Sequence, residues 1–208
     1  PEGVKNLRLK SSGQDSTFVR QPLAQMLVQQ AGGHAPRFSF ARVTVNGDDY
    51  GLYQVFEQAD KRMFQQRFGN DDGERYELSA SGNCVGLNCE GPGCAATADA
   101  YDGEPGSGAS LVALAKTAAY GAASTWMAQM AGLADWPALR AYYAVEAAIS
   151  DVDGLPASGQ NFVVYGNEAS GLLEFIPTGQ DLSLGNFDAS YDLHAPWGPP
   201  TAWCPDRV

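Results

Sequence analysis

Hydrophobic and polar residues alternate most cleanly between Phe38 and Val45. Phe38, Phe40, Arg42 and Thr44 lie on one face, and Ser39, Ala41, Val43 and Val45 on the other, the period of a strand. Asn46-Gly47-Asp48-Asp49 reads as a turn, and Tyr50 to Phe56 returns as the second strand of a hairpin that ends at Glu57. A second hairpin is predicted from two short apolar runs, Phe162 to Tyr165 and Leu172 to Ile176, joined by a polar turn. Lys5 to Lys10 and Arg75 to Leu78 are shorter strand candidates.

Helical spacing appears elsewhere. A helix is predicted to begin near Phe18, capped by Asp15 or Ser16, with Pro22 tolerated in its first turn and Gly32-Gly33 ending it. Leu23, Met26 and Leu27 form its apolar stripe and are expected in the core. Ala59 to Phe68 reads as a second helix with Met63, Phe64 and Phe68 near one face. Leu111 to Met130 reads as one Ala-rich helix. Asp135 caps another, with Trp136 and Pro137 in its first turn and Leu139, Tyr142, Tyr143 and Val145 along it. The sum is an α+β chain with antiparallel strands.

Length and composition narrow the class. The 208 residues suffice for a single domain with a sizeable core, and an apolar fraction of 44% is ordinary for a globular one. A formal net charge of −11 argues against a nucleic-acid binder, which needs a basic face. No apolar run is long enough to span a bilayer. The chain opens at Pro1 without a Met and stops soon after Cys204, and is read as a processed chain or a fragment.

Residues 79–108 are rich in Gly, Ala, Ser and Cys and poor in large apolar side chains, so they read as an insertion that cannot build its own core. Cys84, Cys89 and Cys94 fall within it at five-residue intervals, and Cys204 lies near the end. Disulfides formed in an oxidising compartment are expected, which points to a secreted or cell-surface protein. Zinc is the rival, disfavoured because the spacing is wider than a C-x2-C knuckle. A cross-linked 84–94 loop tied to Cys204 is the expected arrangement. His34 and His194 are the only histidines. Neither sits in a zinc motif, so both read as surface or packing residues. Gly-rich phosphate loops of the G-x-x-x-x-G-K and G-x-G-x-x-G types are absent.

The candidate chemistry sits between Glu146 and Asp188. A helix ends in a loop carrying Asp151 and Asp153, Asn161 precedes the first strand of the second hairpin, and Asp181 follows its second strand. A hairpin brings residues before its first strand and after its second to the same end, with strands about 5 Å apart. Asn161 and Asp181 are then within reach of one small cation, with Asp153 arriving from the loop. Two carboxylates and an amide suit Mg2+ or Ca2+, and such a metal can hold nucleotide phosphates. The plainer alternative is that these residues are turn formers bonded to nearby backbone.

Taken in order, LRLKSSGQDSTFVRQPLA, VTVNGDDYGLYQVFEQADKRMF, ISDVDG…QNFVVY and FIPTGQDLSLG resemble the CotH kinase family, atypical protein-kinase-like proteins named for a spore-coat protein. The matching positions are Asp15 and Arg20; Asn46, Gly47, Gly51, Tyr53 and Glu57; Asp153, Asn161 and Tyr165; and Pro177, Asp181, Ser183 and Gly185. The resemblance implies a two-lobed kinase-like fold, with an antiparallel-sheet N-lobe and a mostly helical C-lobe. It also implies use of ATP with Mg2+, Mn2+ or Ca2+, and transfer of the γ-phosphate to Ser or Thr of a secreted or surface protein. Asp153 is then the catalytic carboxylate, Asn161 and Asp181 hold the metal, and Glu57 positions a cation in the nucleotide site.

The chain departs from the family pattern at two places. Arg75-Tyr76-Glu77 puts an acid where a phosphate-binding lysine is expected, leaving Arg75 or Lys10 as substitutes near the nucleotide. Thr178-Gly179-Gln180-Asp181 lacks the Trp and first Asp of the W-D-x-D motif. These departures keep open a second reading, a catalytically inactive surface or binding module, either a pseudokinase or an adhesion domain.

Overall fold

A computed structural model of the chain describes residues 6–78, 98–100, 108–156 and 161–185. The four cysteines and His194 lie outside the described residues, and so does the expected cross-link. The first sheet has three antiparallel strands in the order β1 (Leu7–Lys10), β3 (Asp48–Glu57), β2 (Phe38–Val45). Asn46 and Gly47 both have positive φ, 55° and 92°, as a two-residue type I′ hairpin requires. The turn is therefore shorter than the expected Asn46 to Asp49. Asp48 and Asp49 belong to β3, where Asp49 pairs with Arg42 across the exposed face.

Between β1 and β2 runs α1 (Arg20–Gln30). It starts two residues later than expected because Phe18 takes a positive φ of 63°. The cap is unusual: Asp15 lies five residues upstream, and its carboxylate accepts the Arg20 N–H at 2.9 Å. The buried face is also different from the expected one. Gln21, Ala24, Gln25 and Val28 point inward, while Met26 is exposed and Leu23 and Leu27 are half-buried. Polar partners waiting inside for Gln21 decide this, a feature that apolar spacing cannot report.

Next comes α2 (Lys61–Phe68), capped by Asp60 accepting from the Met63 N–H at 3.1 Å and ended by Gly69 with φ of 76°. The second sheet has the order β5 (Ala98–Ala100), β4 (Arg75–Leu78), β6 (Phe162–Asn167), β7 (Leu172–Pro177), all antiparallel. Three helices cover it: α3 (Ala109–Tyr120), α4 (Trp126–Ala131) and α5 (Trp136–Ala148). The single helix expected from Leu111 to Met130 is two. Its break follows Gly121. The Trp126 indole turns back to donate to the Ala118 carbonyl at 3.3 Å and packs edge-on against Trp136.

The sheet is buried on both faces. Tyr76, Phe162, Val164, Leu173 and Phe175 meet Leu111, Leu114, Met130, Leu139 and Tyr142 of the helices. Val163, Tyr165 and Ile176 meet Met63 and Phe64 of α2, with the Phe64 and Tyr165 rings stacked at 4.1 Å. This two-sided burial explains why β6 and β7 read as continuous apolar runs rather than alternating ones. No described helix is long and apolar enough to cross a membrane.

Candidate functional site

The last residues of β1 and the segment leaving β7 meet at a seam between the two sheets. Lys10 Nζ lies 3.1 Å from Asp181 Oδ1 and donates to Gln21 Oε1 at 2.7 Å. Gln21 Nε2 donates to the Thr178 carbonyl at 3.0 Å, which also accepts from Arg8 Nη1 at 3.2 Å. Three residues from β1 and α1, Arg8, Lys10 and Gln21, therefore grip the 178–181 segment. Gln21 is fully buried, and Lys10 and Asp181 are mostly so.

On the other side of that segment stands Asn161, at the start of β6. Its carbonyl accepts the Thr178 N–H at 2.7 Å, so Asn161 and Asp181 do lie at the same end of the hairpin. Its side-chain amide donates to the Asp153 carboxylate at 2.7 Å and to the Asp153 carbonyl at 2.9 Å. Its Oδ1 faces Gly179, where an added Cβ would come within 3.0 Å of it. The structure thus gathers Asp153, Asn161 and Asp181 around one short segment, and adds Lys10 to them.

The loop after α5 carries buried acid. Asp151 is fully buried; Oδ1 accepts the Asp153 N–H at 3.2 Å, while Oδ2 accepts no hydrogen bond among the described residues. Burial pushes its pKa up to about 7. The Asp153 N–H pulls the other way, and the charges of Asp153 and Asp181 add to the rise. Behind it Glu146 is also fully buried, accepting from the Leu155 N–H at 2.8 Å and from Gln180 Nε2 at 3.2 Å. Burial, followed by the charge of Asp151, moves Glu146 well above the ordinary carboxylate range. The loop is stitched to the 181–184 turn by Val152 N–H to Leu182 and Leu184 N–H to Ile149 hydrogen bonds.

Backbone strain collects around this seam. Among the described residues, six other than glycine have positive φ. Asn46 serves the hairpin turn; Ser12, Phe18, Ser150, Asn161 and Leu184 flank the site. Such conformations cost of order 1–3 kcal/mol each and persist where surrounding contacts enforce them, commonly at functional sites. The turn between Ser12 and Phe18 is held by Asp15. Burial alone would raise its pKa, but hydrogen bonds from Thr17 and Arg20 outweigh that and lower it.

The other sequence candidates stand elsewhere. Glu57 receives Arg37 Nη2 at 2.7 Å and Arg67 Nη2 at 3.2 Å, so the cations beside it are these two arginines. Arg75 is buried in the sheet face that meets α2, donating to the Ala59 carbonyl at 2.6 Å and lying 5.9 Å from the Phe64 ring centroid. Glu77 pairs in register with Val163 on β6 and Asp99 on β5. Of the two bases open as substitutes, Lys10 is the one that reaches Asp181.

Sequence reasoning passed over Gln21, Glu146 and Gln180. Four glutamines, Gln21, Gln25, Gln54 and Gln180, are fully buried, and nothing local in the sequence sets them apart from exposed ones. Chemically, the seam offers hard oxygen donors, a buried Asp151 oxygen that meets no donor among the described residues, and one lysine. That donor set fits a divalent cation such as Mg2+.

The family model described as CotH kinase protein matches residues 2–204, nearly the whole chain. No curated protein matches it.

Proposed function

Because the chain belongs to the CotH kinase family, we propose that the seam binds ATP with a divalent cation and transfers the γ-phosphate to a hydroxyl of a protein substrate. Membership in that family itself points to kinase-like function and to the use of ATP and a divalent metal. The observation that carries the finer reading is the Lys10–Asp181 pair beside Asp153 and Asn161. Asn161 and Asp181 would hold the cation, and the cation, when bound, neutralises phosphate charge. Lys10, already held by Gln21, adds positive charge on the β1 side, in place of the lysine that the family pattern has where Glu77 stands. Asp153, fixed by the Asn161 amide, accepts the proton of the substrate hydroxyl. The new bond joins that oxygen to the γ-phosphorus; the bond to the β,γ-bridging oxygen breaks, and ADP leaves. A two-lobed arrangement, a Ser or Thr acceptor on a secreted or surface protein, and an extracellular location belong to the same proposal.

Transfer from γ-labelled ATP to protein, with Mg2+ or Mn2+ against EDTA, tests it. Asp153→Ala is expected to cut transfer by about 10²–10⁴-fold while leaving ATP binding nearly intact. The second reading, a non-catalytic module, is favoured by one observation. Gly179 replaces an acid of the family pattern, right beside Asn161 Oδ1. Metal-dependent ATP binding with no transfer to any protein, including the chain itself, would support that reading and refute catalysis.

A further inference from the structure

Toward the other end of the β6–β7 hairpin, three side chains from distant parts of the chain converge. His34 comes from the α1–β2 loop, Asp135 from the cap of α5 and Glu174 from β7. His34 Nε2 lies 3.3 Å from Glu174 Oε2 and 3.5 Å from Asp135 Oδ2. We propose that these three residues form a second metal site, for Zn2+ or a similar first-row divalent ion, separate from the seam.

The two distances from His34 are those between donors of one coordination sphere, and all three donor atoms lie within 4.8 Å of one another. Donors about 2.0–2.1 Å from a tetrahedral ion lie about 3.3–3.4 Å from one another. One imidazole and two carboxylates are a donor set that suits zinc and its neighbours rather than Mg2+ alone. Each carboxylate has one oxygen committed to the frame and one turned to His34. Asp135 Oδ1 accepts the Ala138 N–H at 3.1 Å, capping α5. Glu174 Oε1 accepts from Asn167 Nδ2 at 3.0 Å, and Asn167 is held in turn by Asn70 at 2.8 Å. Hydrogen bonds of this kind orient metal ligands from behind.

Glu174 is the independent pointer to a ligand. Its side chain is 4% exposed, and Oε2 accepts no hydrogen bond among the described residues. An imidazolium could sit here instead, but the single hydrogen on Nε2 can be given to only one of the two oxygens facing it. A cation on the Nε2 lone pair serves both.

The frame is stiff. The Asp135 N–H donates to the Leu173 carbonyl at 3.0 Å, and Gly33 is pressed so closely on Val28 that an added Cβ would fall within 2.7 Å of its side chain. His34 and Asp135 remain about a quarter to a third exposed, which leaves the fourth position open to water.

Zn2+ and Co2+ titrations of the intact chain test this. In Asp181→Ala, which lacks the metal carboxylate of the seam, the expected result is one Co2+ per chain without thiolate-to-cobalt absorption, which separates the site from the four cysteines. Zn2+ affinity should fall at least about tenfold in Glu174→Gln and in His34→Gln, and remain unchanged in Asp181→Ala. Circular dichroism confirms that each variant is folded. With only two histidines in the chain, NMR gives a readout that needs no variant: saturating Zn2+ should abolish the titration of one imidazole. If both imidazoles still titrate, or if binding is lost in Asp181→Ala and kept in Glu174→Gln, the second site does not exist. Failure here leaves the seam reading untouched, because none of its residues is shared.

Discussion

Replacing Asp151 by Asn isolates the electrostatic cost of the acid-rich loop. In the metal-free protein the Asp151 carboxyl is raised from an ordinary 3.8 to about 7 by burial and by Asp153 and Asp181. A raised acid is neutral without penalty below its unfolded value, and its contribution to stability is lost as pH rises through the folded value. Here that window runs from about pH 4 to about pH 7. About three pH units at about 1.4 kcal/mol each amount to roughly 4 kcal/mol by pH 8. Asn has the shape of the neutral acid and can still accept the Asp153 N–H. Asp151→Asn should therefore match the wild type near pH 4 and exceed it by up to about 4 kcal/mol at pH 8. Urea unfolding in EDTA reads this directly. With a slope of about 2–3 kcal/mol per molar, the midpoints should separate by over about 1 M at pH 8. Saturating Mg2+ should shrink the gap, because a cation at Asp181 and Asn161 favours the charged wild-type side chain. Parallel pH profiles for the two proteins in EDTA would refute the reasoning.

Other consequences follow from the same geometry. Asp15→Asn removes the charged partner of Arg20 and weakens the cap of α1, so it should cost about 2–4 kcal/mol near neutral pH by thermal or urea unfolding. Because the Asp15 carboxyl is lowered, its contribution is present above its ordinary value of 3.8 and lost as pH falls below it; the variant's deficit should close in acid. Gly179→Ala forces Asn161 to yield around its Oδ1. It should cost about 1–3 kcal/mol and weaken Mg2+ binding, measured by unfolding and calorimetry. Glu57→Gln should lower stability by about 1–3 kcal/mol through loss of charge-assisted bonds to Arg37 and Arg67, with little change in ATP binding by the same calorimetry.

Much of the fold could be read where local signals agree. The 38–57 hairpin follows from strict alternation and Asn-Gly. The start of α5 follows from Asp135 before Trp-Pro, and β6 and β7 from short apolar runs. Signals failed where tertiary partners overrule spacing. The buried face of α1 is chosen by Lys10 and Thr178, which need Gln21, and not by Leu23 and Leu27. The break after Gly121 depends on Trp126 finding Trp136. At the site, hairpin geometry sufficed to place Asn161 and Asp181 at one end. Lys10 lies 171 positions from Asp181, and nothing local distinguishes it from Arg75 as the base that arrives. Glu57 looked like a ligand because its competitors, Arg37 and Arg67, are 20 and 10 positions away. His34 reads as a surface or packing residue because the two carboxylates it meets, Asp135 and Glu174, are each more than about a hundred positions away.

Calorimetric titration of ATP into the chain, with Mg2+ and again with EDTA, bears most directly on the central claim that the seam is a metal–nucleotide site. ATP should bind with Mg2+ and not with EDTA, and binding should weaken by at least about tenfold in both Lys10→Ala and Asp181→Ala. Equal binding in EDTA, or affinity unchanged in the two variants, would contradict it.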